Sequence, residues 1–205
     1  MFQYDDMNKK EYSEVVKEEI YGFFPVDGMY ICDVGATGGE YTLWAVSKGA
    51  KFVYAFEPNL RHFNRLKRHI TANNYVNAVL PLNLALANDK VLKGEWSKED
   101  WFVKGNANFT QISAAKLDDL NIHKLDIIKV DVEGFEMDVL RGAEGVIKEL
   151  HPKIMVETST TQLKEIEKFL GQYGYKKVHM THSSYARRED NVYYFEVPEA
   201  SNKGE

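Results

Sequence analysis

Apolar positions along the chain fall into two alternating patterns, short unbroken runs and longer stretches with a helical repeat. The runs Met29–Val34, Phe52–Glu57, Asp126–Asp131 and Lys153–Glu157 suit strands buried on both faces. Between them lie helical patterns. Tyr12, Val15, Val16 and Ile20 mark a helix over 10–22, and Glu40–Lys48 forms another, closed by Gly49. Pro58 fits a first helical turn, followed by Leu60, Phe63, Leu66 and Ile70, with Asn73-Asn74 as the stop. Met137, Leu140, Ala143, Ile147 and Leu150 predict one helix ending before Pro152. Within it, Gly142 and Gly145 cost about 1 kcal/mol each relative to alanine, which points to close packing against the sheet. Ser159 and Gln162 have capping-box spacing ahead of Leu163, Ile166, Phe169 and Leu170, and Gly174 ends that helix.

Three regions read less regularly. A third strand falls within Asn77–Leu86, its start blurred by Pro81. Residues 88–116 lose periodicity: Gly94, Gly105, Asn106 and Asn108 punctuate short runs holding Trp96, Trp101, Phe102 and Phe109, which predicts an insertion of short strands and loops. Tyr175–Met180 and Val192–Val197 read as an antiparallel pair at a sheet edge, joined by the polar loop Thr181–Asn191. The tail from Pro198 reads as disordered. Strands alternating with helices specify an α/β, doubly wound Rossmann-like sheet. Its ligand site lies at the carboxyl ends of the strands. No repeat or linker divides the chain, so 1–205 reads as one domain with a helical lead-in over 1–28.

The sequence has 205 residues, 44% hydrophobic and 28% charged, with a formal net charge of −5. That balance fits a soluble α/β domain and gives no overall field favouring nucleic acid or an acidic membrane face. Cys32 is the sole cysteine, so no disulfide framework exists. Residues 1–10 lack the apolar run of a signal peptide, and no stretch is long enough to span a bilayer. A cytoplasmic location is the expectation.

The strand Met29–Val34 runs into Asp33-Val-Gly-Ala-Thr-Gly-Gly39 and then a helix, a layout in which backbone N–H groups can face a ligand. Glu57 ends the next strand twenty-two residues after Gly35. A carboxylate there can accept from both hydroxyls of a ribose, although alone it would read as a cap for the following helix. The turn lacks the second glycine of the dinucleotide fingerprint, and no Walker G-K-[ST] is present. Asp33 stands before the first glycine instead. Its charge would repel a pyrophosphate but would favour the ammonium and sulfonium of S-adenosylmethionine.

Several segments resemble, in order, the motifs of FkbM-type methyltransferases. They are Asp33–Leu43, Phe56-Glu-Pro-Asn59, Asn83-Leu-Ala-Leu86, Leu117-Asp-Asp-Leu120, Asp126–Glu136, Leu140-Arg-Gly-Ala143 and Val156-Glu157. The specific part is Lys129-Val-Asp-Val-Glu-Gly134 with Leu140-Arg-Gly-Ala143 behind it. Family members often carry Asn-Ile where Thr37-Gly38 stands. The resemblance implies a seven-stranded sheet, mostly parallel with an antiparallel last strand, and helices on both faces. It also implies S-adenosylmethionine as cofactor and a hydroxyl of a sugar or small natural product as acceptor. On this reading Gly35, Ala36, Thr37 and Gly38 hold the methionine part through backbone N–H groups, with Asp33 near its amino group. Glu57 holds the ribose, with Pro58 and Asn59 beside it. Asn83, Leu84 and Ala85 flank the adenine, and Asp131 borders both the methionine end and the acceptor.

A sugar hydroxyl is a poor nucleophile and gains from a general base. Asp131 and Glu133, on the turn leaving the fourth strand, are the candidates, and Glu133 reads equally well as a helix N-terminal acid. His123 and His151 read as surface residues. His179 and His182 flank the terminal loop within reach of the acceptor, with a solvated role favoured for each. The basic stretch Arg61–His69 reads as a solvated helix face. Asp131, Glu133 and Glu157 could converge on a metal, but no ligand spacing requires one. The absence of an Asn/Asp-Pro-Pro-Tyr-type run speaks against a nucleic-acid base as acceptor. Two other functions stand beside methyl transfer: an NAD-linked oxidoreductase, disfavoured by the missing glycine and Asp33, and a non-catalytic cofactor-binding or interaction domain.

Overall fold

The computed structural model describes residues 14–96, 102–103, 110–182 and 190–198. Its strands are β1 (Tyr30–Val34), β2 (Phe52–Phe56), β3 (Val79–Leu82), β4 (Ala85–Leu86), β5 (Val91–Trp96), β6 (Phe102–Val103), β7 (Thr110–Ala115), β8 (Ile127–Val130), β9 (Lys153–Ser159), β10 (Lys176–His182) and β11 (Asp190–Glu196). The helices are α1 (Glu14–Tyr21), α2 (Glu40–Ser47), α3 (Leu60–Ala72), α4 (Glu136–Gly142), α5 (Glu144–Leu150) and α6 (Thr160–Gly171), with a 3-10 turn at Leu117–Leu120.

The seven-stranded sheet has the order β10-β11-β9-β8-β1-β2-β3. Strands β9, β8, β1, β2 and β3 pair in parallel, while β11 runs antiparallel to both its neighbours. The last strand is thus inserted between β9 and β10. Alternate side chains of the central strands feed two cores, as strands covered on both faces require. Cys32, Val34, Ile128 and Val130 pack with Leu140, Ile147 and Ile166 of α4, α5 and α6. Ile31, Val53, Ala55 and Ile127 pack with Ile20, Leu43, Trp44 and Leu66 of α1, α2 and α3. The doubly wound expectation holds.

The irregular regions are more ordered than the sequence suggested. The stretch expected to hold one third strand divides into β3 and β4, and Pro81 sits on the sheet's edge strand, where a missing N–H is tolerated. Strands β4, β7, β5 and β6 form a second, small sheet from most of the expected insertion. The expectations for Tyr12, Trp101, Phe109 and most of the 181–191 loop, and for the tail beyond Pro198, lie outside the described residues.

The helix expected to run unbroken to Leu150 is two helices, interrupted at Ala143 with φ −112° and ψ 12°. A Cβ on Gly142 would lie 2.5 Å from the Ala87 carbonyl oxygen, so the close approach is to the backbone after β4 rather than to the main sheet. The second helix is capped from a distance: Asp118 accepts the Gly145 and Val146 N–H groups at 2.8 and 2.9 Å. The expected capping box does not form either, since Ser159 caps no N–H of α6. Gln162 instead accepts from the Thr158 hydroxyl and donates to the Gly134 carbonyl at 3.4 Å.

Candidate functional site

The glycine turn after β1 is braced by the strand end beside it. Gly35 has φ +81°, and a Cβ there would fall on the Asp131 carbonyl oxygen, so glycine is the residue this juncture admits. The Gly35 and Ala36 N–H groups donate to the Phe56 carbonyl at 3.0 and 2.9 Å. Thr37 N–H donates to Glu57 Oε2 at 2.9 Å, and Gly38 N–H to Glu40 Oε2 at 3.2 Å. The four N–H groups expected to face a ligand are therefore all engaged within the protein. Helix α3 supports the turn from behind. The His69 Nδ1–H donates to the Gly38 carbonyl at 2.7 Å, and Arg65 lies 3.8 Å from Glu40. His62 and His69 are buried, so the basic helix is not the fully solvated face that its charges suggested.

Glu57 stands at the tip of β2, 5% exposed. Its Oε1 accepts the Asn59 N–H at 2.8 Å while Oε2 holds Thr37. Burial raises its pKa to about 7, against the pull of those two N–H groups. Asn59 also caps α3 through its side chain, accepting from Arg61 and His62 N–H. Asn83 donates its amide to the Glu57 and Pro58 carbonyls at 2.8 and 3.0 Å, fastening the segment rather than lining the cleft. Leu84 and Ala85 do line it.

Asp33 is fully buried and does not reach the cleft. Its Oδ2 accepts from the Thr42 hydroxyl at 2.6 Å, and its Oδ1 lies 3.3 Å from the Lys129 ammonium. Asp33, expected near a ligand's amino group, is held in this internal ion pair. Lys129 also lies 3.2 Å from Asp131 Oδ2 and 3.3 Å from the Gly35 carbonyl. Burial opposes its charge, but Asp33 and Asp131 together outweigh that and raise its pKa well above the usual lysine value. Two carboxylates and one ammonium leave a net negative charge, carried at the cleft by Asp131. Lys129 was missed in the sequence. Its signal was a lysine inside the apolar run Asp126–Val130, on the strand that pairs with β1, where Asp33 is its register partner.

A cleft opens at the carboxyl ends of β1, β2 and β8. It brings together Gly35, Thr37, Glu57, Pro58, Asp131 and Glu133. Leu86, Leu92, Ile112 and Phe135 supply an apolar wall, part of it from the small sheet. Glu133 has φ +54° and precedes Gly134 at φ +100°. The N–H of Gly134 is held by Glu136 Oε1 at 2.8 Å, which fixes the turn. Burial raises the pKa of the Tyr21 hydroxyl on α1 well above the usual tyrosine value, Lys129 opposing the rise and Asp131 and Glu157 adding to it. His179 stacks on Phe23 at 4.2 Å and His182 pairs with Asn191 at 2.8 Å, so neither lines the cleft. Among the described residues no group of three or more His, Cys, Asp and Glu is placed to hold a metal ion. The arrangement fits an adenosine bearing a cationic tail: a carboxylate for the ribose, an apolar slot for the base, and Asp131 toward the cation.

Residues 33–177 match the family described as the Methyltransferase FkbM domain. The hexuronic acid methyltransferase AglP of Haloferax volcanii is 26% identical over 151 residues, 68% of this chain and 60% of that protein. The structure of methyltransferase FkbM from Methylobacillus flagellatus superposes with a TM-score of 0.67 at 19% identity, over 86% of this chain and 47% of that one. Magnesium protoporphyrin IX methyltransferase from Synechocystis, solved with bound S-adenosylmethionine, gives 0.59 at 14% identity, over 92% and 79%. These two likenesses are of fold. The chain spans less than two thirds of the length of AglP and of the Methylobacillus protein.

Proposed function

We propose that this chain, which belongs to the FkbM methyltransferase family, transfers a methyl group from S-adenosylmethionine to a hydroxyl of a sugar or small natural product. The observation that carries this reading is the cleft itself. Glu57 and Asp131 both line it, with an apolar wall of Leu86, Leu92 and Ile112. A sugar acid is the favoured acceptor class, because the relative AglP acts on a hexuronic acid. Nucleic acid is not the expected acceptor at a net charge of −5. No helix among the described residues is long and apolar enough to cross a membrane, and a cytoplasmic location is part of the proposal.

Bound in the cleft, S-adenosylmethionine would supply an activated methyl group. Glu57 would accept from the ribose hydroxyls while keeping its bonds to Thr37 and Asn59. Leu84 and Ala85 would border the base, and the Asp131 carboxylate would face the cationic end. Asp131 or Glu133 would take the acceptor's hydroxyl proton as the methyl group passes from sulfur to the acceptor's oxygen, with S-adenosylhomocysteine as the leaving group. Positioning supplies much of the rate, because the methyl donor is already activated.

Calorimetric titration with S-adenosylmethionine and S-adenosylhomocysteine tests the cofactor. Incubation with glucuronate, galacturonate and neutral sugars, followed as S-adenosylhomocysteine release, tests the acceptor. Binding of both nucleosides with transfer to a sugar hydroxyl is the expected result. Binding of NADH with neither nucleoside would overturn it.

A further inference from the structure

We infer that Lys129 is a positioning residue that sets the carboxylate of Asp131 against the methyl donor, and so fixes acceptor-side geometry from inside the sheet. The inference rests on the proposed methyl transfer and deepens it. Three observations carry it. Lys129 is 6% exposed, and its ammonium lies between three oxygens from three successive parts of the site. These are Asp33 Oδ1 at 3.3 Å on β1, the Gly35 carbonyl at 3.3 Å on the turn, and Asp131 Oδ2 at 3.2 Å at the end of β8. One ammonium therefore ties the cofactor turn to the candidate base.

Second, Asp33 and Lys129 are register partners on adjacent parallel strands, so the pair sits on rigid backbone. Asp33 is itself locked by the Thr42 hydroxyl at 2.6 Å. Third, of the three oxygen acceptors Asp131 is the one whose side chain lines the cleft, and that side chain is 33% exposed. With Asp33 buried and Gly35 fixed by its backbone, Lys129 has one adjustable partner, and that partner is Asp131. A charged side chain taken from water is retained when its site is fully paired, and here the pairing also orients a reactive group.

A Lys129→Met change alone would leave Asp33 as an unpaired buried charge and could unfold the chain. The test therefore uses Asp33→Asn and the double variant Asp33→Asn/Lys129→Met, in which both buried charges are gone. Crystal structures of the two variants with S-adenosylhomocysteine are compared. The expected result is that the Asp131 carboxylate leaves its position in the double variant and keeps it in Asp33→Asn. With an acceptor that the wild type methylates, kcat in the double variant then falls roughly ten- to a hundred-fold below that of Asp33→Asn, and the cofactor KM rises with it because Asp131 also faces the cationic end. Superposing carboxylates, or equal kcat in the two variants, would overturn the inference and leave Lys129 a neutraliser of Asp33. A wild type that binds neither nucleoside would overturn the proposed function instead, and the ligand-free structures would still decide where Asp131 points.

Discussion

The Glu57 carboxylate accepts the Thr37 N–H through Oε2 at 2.9 Å, so the tip of β2 is tied to the glycine turn that follows β1. On the proposed reading the same carboxylate receives a ribose, with its pKa raised to about 7 by burial. An ionised carboxylate accepts hydroxyl protons strongly, and its protonated form loses part of that capacity. Affinity for S-adenosylhomocysteine is expected to rise with pH through about 7 and level off above 8. Glu57→Gln should weaken binding by roughly ten- to a hundred-fold, the value of a hydrogen bond to a charged group, and flatten the pH dependence. Calorimetry from pH 6 to 9 measures both. Equal affinity across that range in the wild type would refute the role of Glu57.

Asp131→Asn is expected to lower methyl transfer by roughly 10²- to 10⁴-fold, the usual contribution of a general base. The fold should persist, because Lys129 keeps Asp33 as a partner at 3.3 Å. Glu133→Gln separates the second candidate, which lines the same cleft from a left-handed turn. Single-turnover rates with saturating cofactor decide between them. Full rate in both variants would remove the base from the mechanism.

The strands that position the site were legible because buried parallel strands are unbroken apolar runs, and the acids ending them showed where the carboxyl edge lay. What was not legible depended on contacts between distant segments. Asp33 read as lying near a ligand's amino group, and its pairing inside the sheet with its register partner Lys129 was not visible. The turn's N–H groups looked free because their acceptors, Phe56, Glu57 and Glu40, come from other segments or fold back locally. His62, Leu66 and His69 share one helix face by spacing alone, so the burial of two histidines was available to a stricter reading of Arg61–His69. Short strands were expected over 88–116, but their joining with β4 into one small sheet was not legible, because β4 and β6 are only two residues each, too short to show a period.

Gly142 reverses a prediction from helix propensity. In an exposed helix, glycine to alanine stabilises by about 1 kcal/mol. Here the added Cβ would meet the Ala87 carbonyl oxygen at 2.5 Å and its carbon at 2.6 Å, both backbone atoms that cannot rotate away. Gly142→Ala should therefore destabilise the chain by roughly 1–3 kcal/mol, as overpacking does. It would also loosen the small sheet that roofs the cleft. Urea unfolding gives the sign directly, and a midpoint raised above the wild type's would refute the packing.

Glu136 makes stability depend on pH in the direction opposite to a salt-bridged acid. It is 3% exposed, its Oε1 is bonded to Gly134 N–H, and its Oε2 has no hydrogen-bond partner. Burial raises its pKa to about 7 from a usual value of 4.5. The folded state thus holds this proton more tightly than the unfolded chain. The stabilisation is complete below about pH 4.5 and is lost as pH rises through about 7. At about 1.4 kcal/mol per pKa unit, a rise from 4.5 to about 7 makes the loss attributable to Glu136 on the order of 3 kcal/mol. Glu57 carries a shift of the same sign, so the two acids act together over this window. Glu136→Gln retains an oxygen for the Gly134 N–H and cannot ionise. The variant is expected to melt at a higher temperature than the wild type at pH 8 and to lose that advantage by pH 5. Melting curves at both values check this, and a wild type that is the more stable of the two at pH 8 would show that the ionised carboxylate is satisfied.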